Sequence, residues 1–301
     1  MDILALKAFK AVMDLGSVTA AADALNTVQP NISTRIRKLE DELGTTLFLR
    51  ANRKVTPTEE AMRLLDYANR ILTLEQAARE DVSTTACGSI KLGCTDSQVA
   101  SLLPTFIKGY SRQFPDADIR VDSGVTEYLV DEVENGRLDA AVVVDVPNDV
   151  RLVHQPLFPD HLAFVAPASV NHFETALKMP LMVLKQEGCG YRNYALDWYR
   201  EQGIAPPKLM EISTLVGIAE CVKSGLCAAF LPQSILPPLG LDRGISVFPL
   251  TGKSAHIDLI LVYRPELARD RRIAALHQTL LSCAPLHRLD GDVVSGGIRV
   301  D

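Results

Sequence analysis

Apolar residues at the start of the chain recur at helical spacing. Leu6, Phe9 and Met13 predict one helix, and Gly16 can close it in a left-handed conformation. Ser17 is placed to cap a second, whose Val18, Ala21, Ala22 and Leu25 fall at i, i+3, i+4 and i+7. Its small alanines leave room for a crossing helix. Asn26-Thr27 reads as a short turn, and Pro30 suits the first turn of a third helix, where its missing N–H is not needed. In that helix Ile32, Ile36, Leu39 and Leu43 share one face. Thr34, Arg37 and Lys38 point the other way, with Asn31 and Ser33 on the flanks. Gly44 ends the helix. Leu47-Phe48-Leu49 and Lys54-Val55-Thr56 then read as two short strands, with Arg50, Asn52, Arg53 and Lys54 around the tip between them.

From Thr58 to about Thr84 the pattern stays helical with no glycine or proline. Leu64, Ala68, Ile71, Ala78 and Val82 form an approximate heptad stripe. Either the same helix of a second subunit covers this stripe, or it packs on its own chain. Cys87-Gly88-Ser89 reads as a hinge. Beyond it, strands and helices alternate. Strands are expected at 90–94, 118–122, 138–144, 162–166, 181–184, 228–231 and 257–263. One helix is expected to carry Val99 through Tyr110, with others near 127–135, 194–202, 216–224 and 268–283. Such alternation predicts a parallel sheet with helices on both faces. The tail from Leu286, rich in glycine and charge, is expected to fray.

Composition narrows the function. The chain has 301 residues, 47% hydrophobic and 23% charged, enough for two globular cores. No apolar run is long enough to span a membrane, and the acid-bearing start does not look like a signal peptide, so a cytoplasmic protein is expected. The net charge of −6 argues against a non-specific nucleic-acid binder. Positive charge is nevertheless concentrated between Val28 and Thr58, where six basic residues face three acids. A short helix offering hydroxyl, amide and guanidinium groups opposite its buried face is suited to base edges and phosphates in a major groove. The basic tip at Arg50, Arg53 and Lys54 is suited to backbone phosphate. A solvated charged surface is the plainer alternative.

The stretch Gly16-Ser17-Val18-Thr19-Ala20-Ala21-Ala22 through Leu25 is followed by Gln29-Pro30-Asn31-Ile32-Ser33, Ile36-Arg37-Lys38-Leu39-Glu40, Glu42-Leu43-Gly44, Leu47-Phe48, Arg50 and Thr58-Glu59. From Leu6 to Glu59 it resembles the N-terminal signature of LysR-type transcription regulators. Val28 departs from that pattern, standing where a helix-starting serine is usual, and Ala61 stands where glycine is usual. The second half resembles the same family's effector domain through Leu102-Leu103-Pro104, Phe114-Pro115, Gly136-Arg137-Leu138-Asp139, Gly225-Leu226 and Leu231-Pro232. The resemblance implies a mixed α/β protein in three parts. An all-α winged helix-turn-helix at 1–58 reads DNA through Gln29, Pro30, Asn31, Ser33, Thr34, Arg37, Lys38, Arg50, Arg53 and Lys54. A linker helix at 59–86 pairs subunits into a homodimer or homotetramer. A two-lobed effector domain at 87–301, shaped like periplasmic binding proteins, has lobe I at about 90–160 and 266–290 and lobe II at about 161–265.

Ligands of such sheets sit at the carboxyl ends of strands. The hydroxyl-rich turns Thr95-Asp96-Ser97 and Ser123-Gly124-Val125-Thr126 lie there, and the resemblance places Ser97 and Thr126 at effector-contacting positions. Backbone N–H groups with hydroxyls would favour a small anion such as a carboxylate, although the same residues also serve as plain helix caps. Gly188-Cys189-Gly190-Tyr191-Arg192 offers Cys189 and an arginine that could clamp a carboxylate or pair with a neighbouring acid. Asp96 would oppose an anion. Cys189 also falls where the family's peroxide-sensing branch places a reactive cysteine, but Trp198 replaces the partner cysteine nine residues on. No enzyme is expected. Gly252-Lys253-Ser254 resembles the end of a phosphate loop, yet Val247 stands where that loop needs glycine. The six cysteines form no C-x-x-C pair and there is no H-E-x-x-H, so neither metal nor cofactor is expected. A stand-alone solute-binding protein would not need the N-terminal module.

Overall fold

The computed structural model describes residues 1–51, 54–82, 89–146, 151–185, 190–241 and 243–283. Arg53, the hinge at Cys87-Gly88, Cys189 and the tail from Leu286 lie outside them. Helices α1 (Ile3–Leu15), α2 (Val18–Ala24) and α3 (Gln29–Leu43) share one core. Asp2 and Ser17 accept from the N–H groups of Ala5 and Ala20, which caps α1 and α2, and Gly16 closes α1 at φ +62°. Ala21 and Ala22 bury completely against Leu6, Phe9 and Val12 of α1 and Ile32, Ile36 and Leu39 of α3. Leu25 and Leu43 share the spacing of those faces but are exposed, because each stands at the very end of its helix.

Strands β1 (Phe48–Ala51) and β2 (Lys54–Pro57) pair antiparallel as a wing. Two side chains bolt it on. The Glu40 carboxylate accepts from the N–H groups of Leu47 at 2.7 Å and Phe48 at 3.1 Å. Thr58 donates to the Thr46 and Leu47 carbonyls, and its oxygen accepts from Ala61 N–H at the start of α4 (Glu59–Val82).

The stripe on α4 is used differently from the paired-subunit expectation. Leu64, Ala68 and Ile71 pack into the N-terminal core of their own chain, with Ala68 fully buried. At 24 residues the helix outruns that core, so Ala78 and Val82 stay exposed. Tyr67 and Leu74, beside the stripe, are 63% and 49% exposed.

The rest is a mixed sheet. Its strands are β3 (Ile90–Cys94), β4 (Ile119–Ser123), β5 (Ala140–Val143), β6 (Val153–Pro167), β7 (Leu181–Leu184), β8 (Leu209–Ile212), β9 (Ala228–Pro232), β10 (Ile245–Pro249) and β11 (His256–Tyr263). They run in the order β4-β3-β5-β11-β6-β9-β7-β8, with β10 on β6. β3 pairs parallel with β4 and β5, and β7 with β8 and β9. The parallel pairing expected from alternation holds for these strands, and β6 and β11, which run from one lobe to the other, pair antiparallel between them. The helices are α5 (Asp96–Ser101), α6 (Leu103–Gln113), α7 (Thr126–Glu134), α8 (Phe173–Ala176), α9 (Gly190–Glu201), α10 (Leu215–Lys223) and α11 (Arg271–Ser282). The single helix expected from Val99 to Tyr110 is broken at Leu102, because Pro104 is accommodated in the first turn of α6 and cannot continue α5.

Candidate functional site

The first candidate surface is the outer face of α3. Its buried side, Ile32, Ile36 and Leu39, fixes the rotation of the helix, so Gln29, Pro30, Asn31, Thr34, Arg37 and Lys38 are exposed and Ser33 is half-buried. Among the described residues neither Arg37 nor Lys38 forms an ion pair. Val28 occupies the cap position of α3 in extended conformation without a side-chain cap bond, so the missing serine costs the helix one hydroxyl contact. The Thr27 hydroxyl accepts from the Asn31 side-chain amide at 3.1 Å, a contact that caps no backbone N–H. Arg50 lies on β1 opposite Val55, and Lys54 on β2 opposite Ala51, next to the tip.

The second candidate is the cleft between the lobes. Thr95, Ser97 and Thr126 are all buried there, at the carboxyl ends of β3 and β4. Plain capping does not explain them. Thr95 holds the cap position of α5 but makes no cap bond, and Thr126 donates its hydroxyl to the Val144 carbonyl at 2.6 Å. The Thr95 and Ser97 hydroxyls are 3.1 Å apart.

The partner arriving from lobe II is Tyr191 rather than Arg192. The helix α9 begins at Gly190, four residues before the expected start, so both residues are helical and point about 100° apart. Tyr191 turns inward, its hydroxyl 2.6 Å from Ser97 Oγ and accepting from Gln98 Nε2 at 3.0 Å. Arg192 turns away and donates to Glu211 at 2.6 Å and to the Leu184 carbonyl at 3.3 Å. The carboxylate clamp expected of it is therefore spent on an acid of its own lobe. Burial pushes the Tyr191 hydroxyl far above its ordinary pKa, against the opposing pull of the bonds from Ser97 and Gln98, so it stays neutral.

With Tyr191 in place the remaining cavity is about 20 Å³, room for one water. Among the described residues lining it, Asp96 alone is charged. A roomier cavity of about 290 Å³ lies elsewhere, between α1, α4 and lobe I. Three of the four cations lining it have acids: Lys10 meets Asp14, Arg120 meets Asp118, and Arg272 meets Asp270, while Lys91 reaches Asp139 through its backbone N–H. It reads as a hydrated seam between two units.

Two family profiles cover the chain. That of the bacterial regulatory helix-turn-helix protein, lysR family, matches residues 3–62, and that of the LysR substrate binding domain matches residues 83–284. The chain belongs to the LysR family. The uncharacterized HTH-type transcriptional regulator YusT of Bacillus subtilis is 35% identical over 247 residues, spanning 81% of this chain and 83% of that protein. A full-length OxyR variant from Pseudomonas aeruginosa has the same fold, with a TM-score of 0.77 at 24% identity over 94% of this chain and 96% of that one. CbnR in complex with its target DNA superposes with a TM-score of 0.65 at 17% identity over 94% of this chain and 100% of that one. This LysR chain is a DNA-binding transcription regulator with an effector domain, not an enzyme.

Three of the four described thiols of this LysR protein, Cys94, Cys227 and Cys283, are buried and poorly suited to redox sensing. Burial pushes Cys94 up to about 12 and Cys227 up to about 11, and it also raises Cys283. Trp198, in place of the second sensing cysteine, is a core residue among Phe173, Tyr199 and Phe230. Among the described residues no helix is long and apolar enough to cross a membrane. Sequence reasoning passed over Gln98 and Tyr191. An amide and a phenol carry no spacing signal of their own, and Tyr191 was hidden beside an arginine with more obvious chemistry.

Proposed function

We propose that this LysR regulator reads promoter DNA with the outer face of α3 and tunes its output through a small molecule bound between the two effector lobes. The observation that carries the reading is the row Gln29, Asn31, Thr34, Arg37 and Lys38, held outward by a fully buried opposite face. Pro30 and Ser33 flank that row. Arg50, Arg53 and Lys54 add phosphate contacts from the wing. The functional divisions are 1–58 for DNA, 59–86 for the linker and 87–301 for effector binding. Subunits assemble as a homodimer or homotetramer through the part of α4 that its own chain leaves open, chiefly Tyr67, Leu74, Ala78 and Val82. Two DNA modules then read a site with two-fold symmetry. The protein works in the cytoplasm.

Thr95, Ser97 and Thr126 contact the effector from lobe I. A ligand shifts the lobes only as far as its affinity differs between arrangements. Arg192 stands on the lobe II side, and Cys189 is assigned to the effector site with it from the sequence. A promoter fusion tests the reading: Ser97→Ala and Thr126→Val lose the response while DNA affinity holds, and Cys189→Ser keeps it. Loss in Cys189→Ser alone would transfer the sensing role to that thiol.

A further inference from the structure

The cleft of this protein is closed by one of its own side chains. Tyr191 reaches from lobe II into lobe I, is buried, and satisfies both Ser97 and Gln98. Tyr191 itself forms one wall of the space that remains, whose other walls include the apolar Val144, Leu184 and Leu215. The space left, about 20 Å³, excludes anything larger than water. An effector must therefore replace an occupant rather than fill a vacancy. If Tyr191 leaves, the Ser97 hydroxyl keeps Thr95 and Gln98 and the Gln98 amide keeps Ser97, but each loses its buried bond to the phenol, a loss that a newcomer bearing a hydroxyl makes good. The lining beside lobe I does not favour an anion: its one charged side chain among the described residues is Asp96, and Arg192, which lines the adjoining space on the lobe II side of Tyr191, is held by Glu211.

We propose that Tyr191 is a built-in occupant of the effector site, and that the effector is a small neutral molecule bearing a hydroxyl on an apolar, ring-sized body that takes the place of its phenol. The proposal rests on the cleft reading given above. It makes Tyr191 a specificity-determining residue. Groups that bond to its hydroxyl select for a hydroxyl, and the walls around its ring select for an apolar body. The internal phenol competes with the external one, so the apparent dissociation constant is the intrinsic one divided by the fraction of molecules with Tyr191 withdrawn.

The test uses the full-length protein, with p-cresol as the neutral probe and benzoate as its anionic counterpart. Binding is measured by calorimetry on wild type, Tyr191→Phe and Tyr191→Ala. The site is reported by the fluorine resonance of 3-fluorotyrosine at position 191, assigned by its absence in Tyr191→Phe. Tyr191→Phe keeps the ring but releases Ser97 and Gln98, so p-cresol should bind about tenfold tighter than to wild type, equal to about 1.4 kcal/mol. Tyr191→Ala should bind it at least as well, and benzoate should bind neither variant. In wild type, p-cresol should move the position-191 resonance.

A purely structural tyrosine predicts otherwise: both variants lose thermal stability while p-cresol affinity stays unchanged, which overturns the proposal. Benzoate binding tighter than p-cresol while moving the resonance also overturns it, and leaves the cleft reading standing. A ligand that alters DNA affinity without moving the resonance overturns both.

Discussion

Gly136→Ala probes how the effector domain is seated on the linker helix. The turn after α7 meets α4 backbone to backbone. A Cβ at Gly136 would lie 3.1 Å from both the Arg70 nitrogen and the Asn69 carbonyl carbon, atoms of a helix that cannot swing aside. Around it Thr73 donates to the Gly136 carbonyl at 3.4 Å, Arg137 faces Asp66 at 3.7 Å and Arg70 faces Glu266 at 3.5 Å. Gly136 also sits at φ +71°, so alanine adds strain as well as bulk.

Gly203→Ala separates the two effects. Gly203 has φ +67° and nothing within 4 Å of its Cβ position. Left-handed strain should cost each variant about 1–2 kcal/mol. Overpacking against α4 should cost Gly136→Ala roughly 1–3 kcal/mol more. At roughly 2 °C per kcal/mol for a chain of this size, the melting temperature of Gly203→Ala should fall by about 2–4 °C and that of Gly136→Ala by about 4–10 °C. Amide exchange should quicken over 69–73 in Gly136→Ala only. Equal melting shifts with unchanged exchange would refute the close seating of lobe I on α4.

Other consequences can be measured separately. Ser97→Ala removes buried bonds to Thr95, Tyr191 and Gln98, and Thr126→Val removes one to the Val144 carbonyl, each bond worth about 1 kcal/mol; both variants should abolish inducer response in a promoter fusion without lowering DNA affinity, and normal induction in both would remove these hydroxyls from the effector site. Tyr67→Asp with Leu74→Asp should reduce self-association in sedimentation while the N-terminal domain still melts normally, whereas Ala68→Asp should unfold that domain by burying a charge; the reverse pattern would restore the original stripe as the subunit seam. Cys94 and Cys227 should resist a thiol reagent at pH 8 in folded protein. Their folded thiols hold protons more tightly than the ordinary value of 9.0, so this stabilising contribution is whole below about pH 9 and fades as pH rises toward 12 and 11; rapid labelling at pH 8 would contradict their burial.

The N-terminal module was legible because its signals are local. Spacing placed Ile32, Ile36 and Leu39 inward and hence Arg37 and Lys38 outward, and Gly16 and Gly44 marked the stops. Glu40 was not legible. Counted as an acid in a basic window, it holds the wing through two backbone N–H groups seven and eight residues ahead. On α4 periodicity found the apolar stripe but could not say what covers it, since α1 and a second subunit favour the same residues. β8 and β10 went unseen because each has only four or five residues and no fully buried position. In the cleft the lobe I hydroxyls were found from their turns, but the contact with Tyr191 spans 94 residues of sequence and follows from how two lobes close.

The most direct test of the account is competition binding of the full-length protein to its operator and to random DNA across a range of salt concentrations. Gln29→Ala, Thr34→Ala and Arg37→Ala should each narrow the gap between the two DNAs, by about 1–3 kcal/mol for a residue that touches a base. Arg53→Ala and Lys54→Ala should weaken both and flatten the salt slope by about one unit each. Unchanged affinities and slopes in all five variants would show that neither the face of α3 nor the wing meets DNA.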